Sequence, residues 1–309
     1  MLKLLKNVLA FVLFFAAFYS VLLLIIALST TFTYKAENFM YKYSKISENE
    51  LRKITEFYDW LDEEDSTEKG IILGSSTAYK NIDPAILTQK TGIDFFNCGT
   101  DAQHIAFSEK ILRYVTEDHK INYLLLDVVP VLWENDSQES AIKWVAHNSY
   151  PYKSFKMVAA ENNITLWNYY FYFLMKRMIP SAKYAMEAPL PNWVYKGKGH
   201  LCIDNATNTN YVNPEKYNKI STANIRALNR IASICRDRNI KLIVSIPKVL
   251  NGDIDERLVE VEGACFINAE DYSIDSFYLR DSHHMSCNGA ARYSQWLGDQ
   301  LSNCLAENN

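Results

Sequence analysis

Several features are scarce or missing in this chain of 309 residues, and each absence narrows what it can be. The formal net charge is only −4, with no basic excess to draw a polyanion, so nothing points to a nucleic-acid partner. Only ten glycines occur, and the turn Gly74-Ser75-Ser76 carries a single one. A phosphate-cradling dinucleotide fold needs a glycine-rich turn after its first strand, so that class is disfavoured. The six cysteines are Cys98, Cys202, Cys235, Cys265, Cys287 and Cys304, and none stands in C-x-x-C spacing. They read as buried thiols or as one to three disulfides, with the pairing open. No cysteine lies near the N-terminus, which argues against a lipid-anchored form. There is no internal repeat and no low-complexity tract.

What is present begins at the N-terminus. Lys3 and Lys6 precede an apolar stretch from about Val8 to Phe32, with no charge until Lys35. About 20 apolar residues suffice to cross a bilayer as a helix. The run is longer than the apolar core of a cleaved signal, although Ala27-Leu28-Ser29 resembles a cleavage site. The expectation is an uncleaved single-pass anchor in the cytoplasmic membrane, with its N-terminus cytoplasmic and the rest of the chain outside. The organisation expected is an anchor over 1–33, a linker and helix over 34–68, and a large domain over 69–309.

Within that domain, short apolar runs alternate with helical patterns. Strands are expected at Ile71–Leu73, Ile93–Gly99, Tyr123–Val129, Lys241–Pro247 and Ala264–Asn268. Continuous apolar strands suit a parallel sheet covered on both faces. Helices are expected at about Ser44–Glu64, Pro84–Thr91, Ile105–Thr116, Pro214–Arg238, Ile254–Val261 and Ser286–Asn303. The fold class that follows is α/β: a doubly wound, mainly parallel, five-stranded sheet in a three-layer, flavodoxin-like arrangement. Strands three and four are separated by more than a hundred residues. Residues 131–213 of that gap form an aromatic-rich insertion including Trp144, Tyr152, Phe155, Trp167, Tyr170, Phe171, Trp193 and Tyr195. It reads as a helical subdomain with its own core, as a cap whose aromatic faces stack on sugar rings, or as both.

Two motifs carry chemistry. Gly74-Ser75-Ser76 ends the first strand, and Asp281-Ser282-His283-His284 precedes the last helix. Ligands of open α/β sheets bind at the carboxyl ends of strands, where both motifs and Gly99 should meet. A serine hydroxyl becomes a nucleophile when a histidine accepts its proton and a carboxylate orients that histidine. A G-x-S-x-G elbow is absent, and the Asp-to-His spacing is too short for a classical α/β-hydrolase.

On these motifs the chain resembles the SGNH (GDSL-type) hydrolase superfamily, over roughly residues 70–130 and 240–303. The resemblance aligns Ser76 with the nucleophile and Ser75 with the usual Asp. It also aligns Asp281 and His284 with the remaining triad members and Gly99 with an oxyanion-hole amide. It implies a hole formed by the backbone amides of Ser76 and Gly99. The family's Gly-x-Asn after strand three is missing, since Asp127-Val128-Val129-Pro130 stands there, and Asn135 is the nearest asparagine downstream.

The implied function is a serine esterase or O-acyltransferase, foremost for acetyl groups. Acylated cell-envelope glycans or other esters are the expected substrates, with a membrane-bound acyl-transfer partner and neither cofactor nor metal. The alternative is a catalytically weak or inactive, membrane-anchored scaffold in envelope polysaccharide assembly.

Overall fold

A computed structural model describes residues 1–32, 47–63, 67–129, 138–148, 150–178, 192–204, 222–248, 259–269, 272–281 and 283–307. These residues divide into two compact units. One comprises Met1–Glu48 with Ile142–Ala188, the other Asn49–Ala141 with Pro189–Asn309.

In chain order the helices are α1 (Leu2–Phe32), α2 (Glu48–Asp62), α3 (Ser76–Asn81), α4 (Pro84–Thr91), α5 (Ile105–Asp118), α6 (Gln138–His147), α7 (Pro151–Glu161), α8 (Ile164–Arg177), α9 (Thr222–Asp237) and α10 (Cys287–Glu307). The strands are β1 (Lys69–Leu73), β2 (Asp94–Asn97), β3 (Tyr123–Asp127), β4 (Trp193–Gly197), β5 (His200–Ile203), β6 (Lys241–Ile246) and β7 (Cys265–Asn268).

The second unit is built on a five-stranded parallel sheet of order β2-β1-β3-β6-β7. Ile71, Ile72 and Leu73 of β1 and Leu124, Leu125 and Leu126 of β3 are fully buried. Both faces of these strands are therefore covered, as their uninterrupted apolar runs require. One face packs Ile72, Leu125 and Ile243 with Ala78 and Ile82 of the α3 segment, Leu87 of α4, and Leu297 and Leu301 of α10. Strand alternation turns Ile71, Leu124 and Val244 to the opposite face, the side of α5 and α9. The expected three-layer α/β fold is the one observed.

Local chemistry explains the element limits near the site. Asp83 caps α4 by accepting from the Ala85 amide at 3.0 Å, Pro84 opens the helix, and Gly92 closes it in the left-handed region at φ 76°. The helix expected from Pro214 begins at Thr222, with 214–221 outside the described residues. Most of the helix expected over Ile254–Val261 also lies outside them, and Val259–Val261 are not helical.

The aromatic insertion is helical over α6–α8, but its last part is not. Trp193 and Tyr195 stand in an antiparallel hairpin, β4–β5, that belongs to the unit of the parallel sheet. Gly197 and Gly199 take positive φ at its turn, which strand-and-helix reasoning did not anticipate.

Two disulfides are present among the described residues, Cys202–Cys287 and Cys265–Cys304, while Cys98 and Cys235 are buried free thiols. The first joins β5 to the start of α10 across 85 residues of sequence. Replacing both Cys202 and Cys287 by Ala is expected to cost about 2–4 kcal/mol. A lowered midpoint in urea or thermal unfolding followed by circular dichroism would register it.

Candidate active site

The sheet reverses its winding direction between β1 and β3, and the candidate residues gather at the carboxyl ends of these strands. The chain leaves β1 through Gly74, whose φ is +153°. A Cβ there would lie 2.6 Å from Asp127 Cβ and 2.9 Å from Ala78 Cβ. Only glycine lets the turn close against the end of β3. Ser75 then precedes α3 in extended conformation, and Ser76 opens the helix. Ser75 Oγ is buried and makes no hydrogen bond.

Ser76, His284 and Asp281 form one hydrogen-bonded chain. His284 Nε2 accepts from Ser76 Oγ at 2.8 Å, and His284 Nδ1–H donates to Asp281 Oδ2 at 2.7 Å. A carboxylate only accepts, so Asp281 dictates this tautomer. The other carboxylate oxygen accepts from the backbone amides of His283 and His284 at 2.9 and 2.8 Å. Burial alone would raise the Asp281 carboxyl. The His284 hydrogen bond, the two histidines and the backbone amides outweigh burial and hold it well below the usual range. His284 is shifted down from the ordinary imidazole value, chiefly by burial and also by the Lys80 ammonium, against the opposing pull of Asp281. It is neutral, and so able to accept a proton, at pH 7. Burial likewise lowers His283, to about 4. The Asp281 carboxylate approaches the His283 ring only to 3.6 Å.

Sequence reasoning missed what holds His284 in place. Asn81, fully buried at the end of α3, donates from Nδ2 to the His283 carbonyl at 2.7 Å and accepts from the Met285 amide at 2.9 Å. Its amide thus pairs with the backbone on both sides of His284, as a neighbouring strand would. The His284 carbonyl accepts from Arg280 N at 2.8 Å. One short helix therefore carries the nucleophile candidate at its first residue and the anchor of the base at its last. Nothing in Asn81's own neighbourhood in sequence signals this, because its partners lie about two hundred residues away.

Gly99 lies against the same turn: a Cβ there would meet Ser75 O at 3.0 Å and Gly74 O at 3.1 Å. Its amide, expected to face an oxyanion, donates to Asn97 Oδ1 at 3.1 Å. The Asn97 NH2 group is committed to the Ala78 and Ile82 carbonyls, both at 3.0 Å, which sets the orientation of its oxygen. The Gly99 carbonyl accepts from the buried Lys53 ammonium, which also sits 4.6 Å from the Tyr79 ring centre. The Gly99 peptide is held at both ends, and its amide can receive a substrate oxygen only by releasing Asn97.

At the end of β3, Asp127 is fully buried, and burial raises its carboxyl to about 6 against hydrogen bonds from Thr77 and the Val129 amide. It braces the residue after Ser76 and is not placed as a donor. Asn135 lies outside the described residues.

Asp281, His283 and His284 bring potential ligand atoms within 4.8 Å of one another. Both nitrogens of His284 are engaged by Asp281 and Ser76, so a metal there would break the hydrogen-bonded chain.

No protein-family model matches this chain, and no curated protein matches it. Among solved structures, a protein of Bacteroides fragilis NCTC 9343 described as a "putative acylhydrolase" is similar, with a TM-score of 0.39 and 8% identity, over 84% of this chain and 100% of that one.

Two outcomes follow from the geometry. In an NMR titration the His284 ring should change state below pH 6.5, and Asp281→Asn should move that midpoint lower still by removing the partner that favours the proton. The fold prefers neutral His284. Its contribution to stability is therefore present above about pH 6.5 and is lost as pH falls through the folded-state value. Asn81→Ala strands the His283 carbonyl and the Met285 amide, and is expected to cost about 1–3 kcal/mol in urea unfolding.

Proposed function

We propose that this protein is an SGNH-type serine esterase or O-acyltransferase with Ser76 as nucleophile, His284 as general base and Asp281 as orienting carboxylate. The unbroken Ser76–His284–Asp281 hydrogen-bonded chain carries the reading. Ser76 Oγ attacks an ester carbonyl carbon as its proton passes to His284 Nε2. The tetrahedral intermediate collapses, His284 returns the proton to the departing alkoxide oxygen, and an acyl-serine remains. Water or an acceptor hydroxyl then gives its proton to His284, attacks the acyl carbon and frees Ser76. The Ser76 amide is available to the oxyanion, and the Gly99 amide joins it once substrate displaces Asn97 Oδ1.

The substrate class proposed is acylated, foremost acetylated, cell-envelope glycan. Trp193 supports it: its ring centre lies 4.9 Å from the ammonium of Lys80, one helical turn after Ser76, which brings an aromatic ring to the helix that carries the nucleophile. Placement outside the cytoplasm is supported by the two disulfides, which persist in oxidising compartments. It is also supported by α1, whose span Leu2–Ala27 has a mean hydropathy of 2.8 and is long and apolar enough to cross a membrane. Lys3 and Lys6 support a cytoplasmic N-terminus. A membrane-bound acyl donor would then meet the domain at the outer face.

One observation favours the non-catalytic alternative, an anchored scaffold: the Gly99 amide is occupied, and the family's Gly-x-Asn after β3 is also missing from the sequence. Losing one oxyanion donor costs about 2.7–4 kcal/mol of transition-state stabilisation, so an enzyme working with Ser76 N–H alone would be slow.

Labelling by a fluorophosphonate separates the two. The enzyme reading expects the folded protein to be labelled, with labelling abolished in Ser76→Ala and reduced at least about 10³-fold in His284→Gln. His283→Gln should stay within a few-fold of wild type. The labelling rate should follow the neutral form of His284 and persist below pH 6.5. A folded protein that resists the reagent, or one labelled equally well without Ser76, would sink the assignment.

A further inference from the structure

We propose that helices α7 and α8 of the insertion are embedded in the outer leaflet of the membrane crossed by α1, with lipid as the occupant of their exposed apolar face. The observations all lie within the unit formed by Met1–Glu48 and Ile142–Ala188.

Helix α8 packs directly along α1. Tyr19 donates its hydroxyl to Asn168 Oδ1, and its ring meets Phe171 edge-on at 6.3 Å. Leu23 and Ala27 are buried, at 4% and 0% exposure, while their neighbours Leu22, Leu24 and Ile25 remain 43%, 39% and 57% exposed. One face of the outer half of α1 is thus covered by protein, and the other is left for acyl chains.

Depth follows from helix geometry. Tyr19 stands thirteen residues beyond Lys6. At about 1.5 Å per residue this is about 20 Å, in a hydrocarbon core about 30 Å thick. With Lys6 at the cytoplasmic headgroups, Tyr19 lies within the outer leaflet, and Asn168 and Phe171 lie there with it. Hydrocarbon penalises an unpaired amide oxygen, and the Tyr19 hydroxyl satisfies this one.

From that point a run of rings leads through α8 to α7. Phe171 stacks on Trp167 at 5.6 Å, and Trp167 meets Phe155 of α7 at 5.7 Å. Phe155 is 49% exposed, Tyr152 68% and Ile164 74%. Tyr152, Phe155, Lys156 and Ala159 recur at i, i+3, i+4 and i+7, which places them on one face of α7, and all four are exposed. Of the five large apolar side chains exposed outside α1 among the described residues, Tyr152, Phe155, Ile164 and Met178 belong to this unit, leaving only Phe277 elsewhere. Aromatic rings with a lysine whose stem reaches the phosphates are the composition of a helix lying in a membrane interface. The rings from Phe155 through Trp167 and Phe171 to Tyr19 link this face to α1, so the same lipids cover both.

The test uses the full chain in nanodiscs of phosphatidylethanolamine and phosphatidylglycerol. A nitroxide is attached through Phe155→Cys and, separately, Ile164→Cys. Wild type labelled in parallel corrects for the native thiols, and Asp237→Cys on the exposed surface of α9 serves as the aqueous reference. Collision with oxygen exceeding collision with a nickel chelate at both 155 and 164, with the reverse at 237, is the expected result. Chelate access at 155 and 164 equal to that at 237 would overturn the proposal, because the face would be in water. Access by neither quencher would overturn it as well, because a protein partner would be covering the face. So would recovery of a mature chain that lacks α1.

Discussion

The candidate site depends on a side-chain amide. Asn81 inserts between the carbonyl of His283 and the amide of Met285 and so makes the loop that carries His284 behave as if it were paired to a strand. Five residues earlier in the same helix, Ser76 meets the imidazole that Asn81 positions. The separation between serine and histidine is therefore set by one rigid helical segment and not by two loops moving independently. Asp281 completes the arrangement by using one carboxylate oxygen for the ring and the other for the backbone amides that begin the turn. Asn97 does for the other side of α3 what Asn81 does for the histidine loop, tying Ala78 and Ile82 to the end of β2.

The same economy creates a conflict at Gly99. Asn97 has one oxygen, and the Gly99 amide holds it. Lys53 fixes the other end of that peptide. An oxyanion approaching Ser76 competes with a neutral amide oxygen, and a developing negative charge is the stronger acceptor. The hole would form as the reaction proceeds, and the missing Gly-x-Asn after β3 would leave more of the stabilisation to these two amides.

The two units answer different physical demands. The sheet unit buries continuous apolar strands between helical layers, and the polar side chains that enter its interior around the site, Asn81, Asn97 and Asp127, are hydrogen-bonded there. The other unit joins α1 to α8 through ring contacts and a Tyr–Asn hydrogen bond. That suits an apolar surrounding, in which exposed rings carry no penalty and an unpaired amide does.

Much of this was readable in the chain itself. The apolar runs of β1, β3 and β6 announced a covered parallel sheet, the helical pattern over Pro84–Thr91 announced α4, and Gly74-Ser75-Ser76 with Asp281-x-x-His284 announced the gathering of a serine, a histidine and an acid. These features are local: strand and helix patterning and short spacing act within a few residues. What the chain could not announce were relations between distant residues. The partners of Asn81 and Asn97, the claim of Asn97 on Gly99, the pairing of Cys202 with Cys287, and the departure of Trp193 and Tyr195 from the helical insertion into a hairpin all depend on which segments the sheet brings together. The sequence by itself determined the elements and the reactive residue types, because those follow from local sterics and apolar patterning. Only the tertiary structure decided which polar groups satisfy one another, because a buried hydrogen bond is chosen by proximity in space.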